Sequence, residues 1–200
     1  LAAAVTGRVE GRVWSHKTAR VGDALVLTKP IGTGIAIRAL KKRTAPETLV
    51  AAATASMLRS NRRAAELARG REVSSATDIT GFGLLGHASH MARASGVAFV
   101  IESAKVPLFE GARSLAEAGQ VPGGTKKNLA YVAPFTRFAE GVDEPMRLLL
   151  CDAQTSGGLL LAVREGHAVA LLEALRDEGH DAARIGHVEE LGEGEPMRVR

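Results

Sequence analysis

Residues 23–30, Asp-Ala-Leu-Val-Leu-Thr-Lys-Pro, form a short apolar run that ends on proline and is followed at once by a Gly-Thr-Gly turn at residues 32–34. Bounded by turn residues in this way, the run reads as a buried strand. A buried strand needs partners, and comparable runs recur at residues 73–76, 97–102, 147–151, 159–163 and 183–188. Helical patterning separates them at residues 35–42, 46–69, 84–93, 110–118 and 166–178. The longest of these helices starts on Pro46 and stops at Gly70, the usual proline-first, glycine-last arrangement. Leu49, Ala53, Met57, Ala64 and Leu67 give it one apolar stripe, opposite Arg59, Arg62, Arg63 and Arg69. Strands alternate with helices, but the runs at 147–151 and 159–163 stand close together. That favours a mixed sheet with packed helices, an α+β architecture, over a doubly wound parallel sheet. Residues 14–22, the 77–83 turn, Pro122-Gly123-Gly124-Thr125 and a poorly patterned stretch reaching Pro145 read as connections.

Two hundred residues, 46% of them hydrophobic, can bury one sizeable core and a small appended element. With five Phe, one Tyr and one Trp, that core is aliphatic, and the chain is poorly equipped to stack nucleic-acid bases. The formal net charge is +4, and the densest basic spots are Lys41-Lys42-Arg43, Arg62-Arg63 and Lys126-Lys127. Such clusters belong to helix faces and ends, so no direct nucleic-acid binding is expected. Modest positive charge suits a polyanionic nucleotide equally well. Cys151 is the single cysteine, which excludes an internal disulfide or a Cys-based zinc cluster and points to a reducing, cytoplasmic setting. Beside Leu148, Leu149 and Leu150 it reads as an inert core thiol. No apolar stretch reaches the roughly 20 residues of a membrane-spanning helix. The opening LAAAVTGRVEGR has neither a basic leader nor a cleavage-like region. Residues 5–13 alternate loosely around Gly7 and Gly11 and read as an extended segment that belongs with sequence upstream.

Three Gly-rich turns could carry chemistry. In Thr77-Asp78-Ile79-Thr80-Gly81-Phe82-Gly83, a carboxylate at a strand end precedes a helix start, where exposed backbone N–H groups attract anions. Mg²⁺ is held by one or two carboxylates together with phosphate oxygens and water, so Asp78 fits such a role. From the residues alone, the commoner job of Asp78 is to cap the following helix. Thr28-Lys29-Pro30-Ile31-Gly32-Thr33-Gly34 places an ammonium before a glycine turn and could meet a phosphate. It is not a Walker motif, because Lys29 precedes the glycines. In Cys151-Asp152-Ala153-Gln154-Thr155-Ser156-Gly157-Gly158, the acceptors read as satisfying turn amides and the glycines as allowing close backbone approach. His87 and His90 stand three apart on one helix, without the further ligands that a metal site requires.

Taken in order, TKPIGTG, SNRRAAELA, TDITGFGLLGHASHMARASG, VPGGTKKN and LLCDAQTSGGLLLAV resemble the selenophosphate synthetase (selenide, water dikinase) family across residues 5–163. The resemblance implies a fold similar to the carboxy-terminal domain of the aminoimidazole ribonucleotide synthetase superfamily. Residues 1–14 would then be a terminal strand of an amino-terminal ATP-binding domain, and residues 15–200 the carboxy-terminal domain. The implied activity converts selenide, ATP and water into selenophosphate, AMP and orthophosphate, with Mg²⁺ as cofactor and a homodimeric full-length enzyme. Asp78 would be a Mg²⁺ ligand, and Thr80, Gly81, Lys29, Gly32 and Gly34 would lie near the ATP phosphates. The family's nucleophilic Cys or selenocysteine and its Lys are expected upstream of Leu1, so this stretch alone holds no catalytic nucleophile and is expected to be inactive. One departure is Ala153, where the family usually has proline. Competing expectations are a superfamily relative, such as a thiamine-phosphate kinase or a hydrogenase-maturation protein, and a non-catalytic docking module.

Overall fold

In the computed structural model, which describes residues 6–8, 11 and 13–200, the run at 23–30 supplies β1 (Asp23–Leu27), buried at all five positions. It lies between β5 (Leu159–Arg164) and β6 (Ala183–Glu190), antiparallel to both. Beyond β5 comes β2 (Val73–Asp78), and beyond β6 come β3 (Val97–Ile101), β7 (Met197–Val199) and β4 (Thr136–Phe138). The order is β2-β5-β1-β6-β3-β7-β4; pairing is antiparallel as far as β3 and parallel from β3 to β7 to β4. The expected mixed sheet and α+β architecture are therefore present. Of the expected extended segment at 5–13, residues 5, 9, 10 and 12 lie outside the described residues, and residues 6–8, 11 and 13 are not part of a strand.

Side chains on adjacent strand positions point to opposite faces, and helices cover both. Leu25, Leu27, Leu160 and Ala162 pack with Leu84, Leu85, Ala88 and Met91 of α4 (Gly83–Ser95). Val26, Leu161 and Val163 face the other way, onto Ala64 and Ala68 of α3 (Arg62–Arg69) and Leu171 and Leu175 of α8 (Glu165–Asp177). Each such leucine contributes about 2 kcal/mol relative to an exposed one. A third cluster joins Ile35 of α1 (Thr33–Lys41), Leu49 and Ala53 of α2 (Glu47–Leu58), Ala112 of α5 (Ala112–Glu117) and Leu149 of α7 (Glu144–Leu150). The remaining helix is α6 (Gly123–Val132).

Three expectations are corrected. Residues 147–151 are not a strand: they lie in and just after α7, whose Asp143 side chain accepts the Met146 amide at 3.0 Å while Pro145 sits in the first turn. The long helix at 46–69 is two helices, interrupted where Arg59 turns extended. The Pro-Gly-Gly-Thr segment is not a loop but the start of α6. Among the described residues, no helix is long and apolar enough to cross a membrane.

Candidate functional site

Because β1 and β2 both run antiparallel to β5, their carboxyl ends lie at the same end of the sheet, where the loop 151–158 enters β5. This loop separates the two glycine turns and bonds to both. Leu159 N–H donates to Thr28 Oγ1 at 2.8 Å, Ile79 N–H to Gly158 O at 2.9 Å and Gln154 N–H to Thr80 O at 2.9 Å. A Cβ at Gly157 would stand 2.3 Å from Ile79 O, and one at Gly158 2.6 Å from Lys29 N. The glycine pair thus permits backbone-to-backbone contact, as its composition suggests.

At the first turn, the chain supplies its own acceptors. Gln154 Oε1 accepts the amides of Gly32 and Thr33 at 3.1 and 3.2 Å, and Asp152 Oδ2 accepts those of Gly34 and Ile35 at 2.9 and 3.2 Å. The Thr125 hydroxyl donates to Asp152 Oδ1 at 2.8 Å, tying in the start of α6. An internal carboxylate therefore occupies the place at the amino end of α1 where a phosphate could bind. Burial pushes Asp152 up to about 6 despite these donors. Lys29 is 2% exposed, and its Nζ donates to Ser56 O, Arg59 O and Ser156 O at 3.1, 2.7 and 2.9 Å. It thereby ties down the carboxyl end of α2, a favourable place for a cation. Burial, then the nearby Arg59, lowers its pKa. Lys29, Gly32 and Gly34, expected near phosphate, thus have their ammonium and amides engaged inside the chain. A cleft of about 600 Å³ lies beside Lys29, lined also by Arg59, Phe109 and His180, but it includes no residue of the second turn.

The second turn is arranged differently. Asp78 ends β2 exposed, and its carboxylate has no hydrogen-bond or ion-pair partner among the described residues. The N-cap of α4 is Phe82, without a side-chain cap bond, so Asp78 is not the helix cap that the residues alone suggested. Thr80 O accepts from Gly83 N–H at 3.0 Å as well as from Gln154, and Asn128 Nδ2 donates to Gly81 O at 2.9 Å and Cys151 O at 3.1 Å. Gly83 has φ 71°, and a Cβ there would lie 2.6 Å from Cys151 O. Around Gly81 a Cβ would meet nothing within 4 Å. Asp78, Thr80 and Gly81 thus lie in one turn just before α4, with open space at Gly81, whereas the first residues of the helix itself are buried.

His87 and His90 do not share a ligand position. His87 Nε2 receives the Thr80 amide at 3.1 Å, whereas His90 Nε2 lies 3.1 Å from the Tyr131 hydroxyl. Burial lowers the His87 pKa, and the Asp78 charge opposes that shift. Cys151 is fully buried, and burial pushes its thiol up to about 12, which leaves no useful thiolate at neutral pH. Among the described residues, no group of three or more His, Cys, Asp or Glu could hold a metal. One exposed carboxylate, Asp78, without a partner among the described residues and near the open space at Gly81, fits a Mg²⁺ ligand, because this ion takes few protein carboxylates and completes its shell with phosphate and water. The roles of His87 and Asn128 in shaping these turns were not assigned from sequence, whereas Asp152 was read as satisfying turn amides and does so at Gly34 and Ile35. All three lie inside the motifs quoted above, but only the folded contacts show what each one holds.

Residues 20–197 match the family described as AIR synthase related protein, C-terminal domain, and the chain belongs to that family. Within it, the chain is similar to selenide, water dikinases. It is 44% identical to that of Myxococcus xanthus (strain DK1622) over 189 residues, covering 93% of this chain and 54% of that protein. It is 42% identical to that of Geobacter sp. (strain M21) over 195 residues, covering 97% and 56%. The chain therefore spans about half the length of these curated relatives. Among solved structures, the hydrogenase maturation protein HypE of E. coli superposes with a TM-score of 0.66 at 22% identity, covering 94% of this chain and 49% of that one. The thiamine-monophosphate kinase of Stenotrophomonas maltophilia K279a gives 0.63 at 17% identity, covering 93% and 52%. At these identities the two structures support the fold alone.

Proposed function

We propose that this chain is the carboxy-terminal part of an ATP-dependent selenide, water dikinase, which makes selenophosphate, AMP and orthophosphate from selenide, ATP and water. The observation that carries this reading is the exposed Asp78 carboxylate, without a hydrogen-bond or ion-pair partner among the described residues, just before α4. It stands in a chain 44% identical to a selenide, water dikinase. The contrast with α1 supports the choice of turn: the amides at one helix start are taken by Asp152 and Gln154, and at the other the N-cap residue, Phe82, offers no side-chain acceptor.

In this reading, Asp78 would hold Mg²⁺, and Thr80 and Gly81 would let the ATP phosphates approach the backbone. Bound there, Mg²⁺ neutralises charge that develops as a phosphoryl group is transferred. The chain's own contribution is positional, since placement and electrostatics make up most of what a phosphoryl-transfer site supplies. The nucleophilic Cys or selenocysteine and its Lys belong to the other part of the enzyme, which we take to be a cytoplasmic homodimer. The test is selenophosphate formation by the full-length enzyme, followed by phosphorus NMR, with wild type compared to Asp78→Asn.

A further inference from the structure

Beyond Asp78 the chain leaves the sheet. Ile79 N–H still donates to Gly158 O at 2.9 Å, but the next donor, Thr80 N–H, turns away from β5 towards α4. It meets Nε2 of His87 at 3.1 Å, and the Thr80 hydroxyl lies 3.0 Å from the same nitrogen. To accept the amide, Nε2 must present its lone pair, which places the neutral ring's proton on Nδ1. α4 is firmly seated, with Leu84, Leu85, Ala88 and Met91 all fully buried against the sheet. His87 therefore couples a well-packed helix to the turn that follows Asp78. A histidine that merely filled the core would be fully buried and need not bond to this turn. This one is only half-buried, and both of its Nε2 contacts go to the residue two places after Asp78.

We infer that His87 is a positioning residue for the Asp78 metal site, acting through Thr80; this rests on the metal reading of Asp78. Residues that orient a metal ligand from outside typically change metal affinity by about 10- to 100-fold when lost. Asn128 also holds this turn, through Gly81 O, so loss of His87 displaces the turn without unfolding the domain.

The test uses the full-length enzyme with Mn²⁺ as the metal probe and a non-hydrolysable ATP analogue, free Mn²⁺ being read by electron paramagnetic resonance. His87→Phe keeps a ring beside Phe82 but removes the acceptor, His87→Gln restores an acceptor, and Asp78→Asn is the control. Nitrogen-15 NMR of the wild type, without metal, reads the protonation of the His87 nitrogens. The expected results are an unprotonated Nε2, Mn²⁺ affinity weakened about tenfold or more in His87→Phe and Asp78→Asn, and recovery to within about threefold of wild type in His87→Gln. Protonated Nε2 in the wild type overturns the inference whatever the variants do. So does wild-type affinity in His87→Phe when Asp78→Asn is weakened, or a His87→Gln variant as weak as His87→Phe. Unchanged affinity in Asp78→Asn overturns the metal reading itself, and the inference with it.

Discussion

Asp152 and Gly34 meet across 118 residues of sequence: Asp152 Oδ2 accepts the Gly34 amide at 2.9 Å, and a methyl group on residue 34 would lie 2.6 Å from Asp152 Oδ1. Two glycine turns of similar appearance thereby acquire different jobs. The turn after β1 binds an internal carboxylate, and the proposed function places the ligand at the turn after β2.

The buried carboxyl of Asp152 makes stability depend on pH. Its folded pKa of about 6 lies above its ordinary value of 3.8, so the native state holds the proton more tightly than the unfolded chain. The resulting stabilisation is complete below pH 3.8 and is lost as pH rises through about 6, a change of roughly 3 kcal/mol. Asp152→Asn mimics the protonated form, with its Oδ1 towards the α1 amides and its amide group towards Thr125. Urea unfolding at pH 4.5 and pH 7.5 should show wild type losing stability between them beyond any loss in the variant. An equal change in both would contradict the assignment.

Lys29 bonds only to carbonyl oxygens among the described residues, so its loss is a matter of folding. Lys29→Met leaves those three acceptors without a donor and should destabilise the domain by about 2–3 kcal/mol in denaturant titrations. Nucleotide affinity of the folded variant should remain within about twofold of wild type, equivalent to less than about 0.5 kcal/mol. A large loss of affinity with unchanged stability would return Lys29 to the phosphate site.

Gly81 has open space where a side chain would begin, so nothing among the described residues requires glycine there. If phosphates approach this backbone, the space is reserved for them. Gly81→Ala should leave the unfolding midpoint within about 2 °C of wild type and weaken binding of the metal–nucleotide complex by about tenfold, equivalent to about 1.4 kcal/mol. Unchanged binding would place the phosphates elsewhere.

Much of this architecture could be read from residue pattern because burial imposes it. β1, β5, β6 and α8 appear at nearly their expected bounds, since a centrally paired strand must be apolar and a helix on the sheet must be striped. The error at residues 147–151 shows where pattern fails. Three consecutive leucines suit a buried strand or a short buried helix equally, and the deciding signals, Asp143 as N-cap and Pro145 in the first turn, stand upstream of them. The break after Leu58 had no periodic signature, yet it lets Lys29 reach the exposed carbonyls of α2. β4 and β7, at three residues each, are too short to show any period.

The site was legible in part. The motif containing Asp78 placed a carboxylate at a strand end, and the structure supplies what spacing could not: that the carboxylate is exposed and has no partner among the described residues, and that Phe82, not Asp78, is the N-cap of α4. The glycines of the first turn look equally suited to phosphate in one dimension. Only the fold brings Asp152 and Gln154 onto their amides.

The most direct measurement is phosphorus NMR of the full-length enzyme with ATP, Mg²⁺ and selenide, comparing wild type with a folded Asp78→Asn variant. Selenide-dependent selenophosphate and AMP from wild type, reduced at least about 100-fold in the variant, about 2.7 kcal/mol of transition-state stabilisation, is the predicted result. No selenophosphate from a reduced, folded wild type would contradict the assigned reaction, and undiminished turnover in Asp78→Asn would contradict the metal site at its centre.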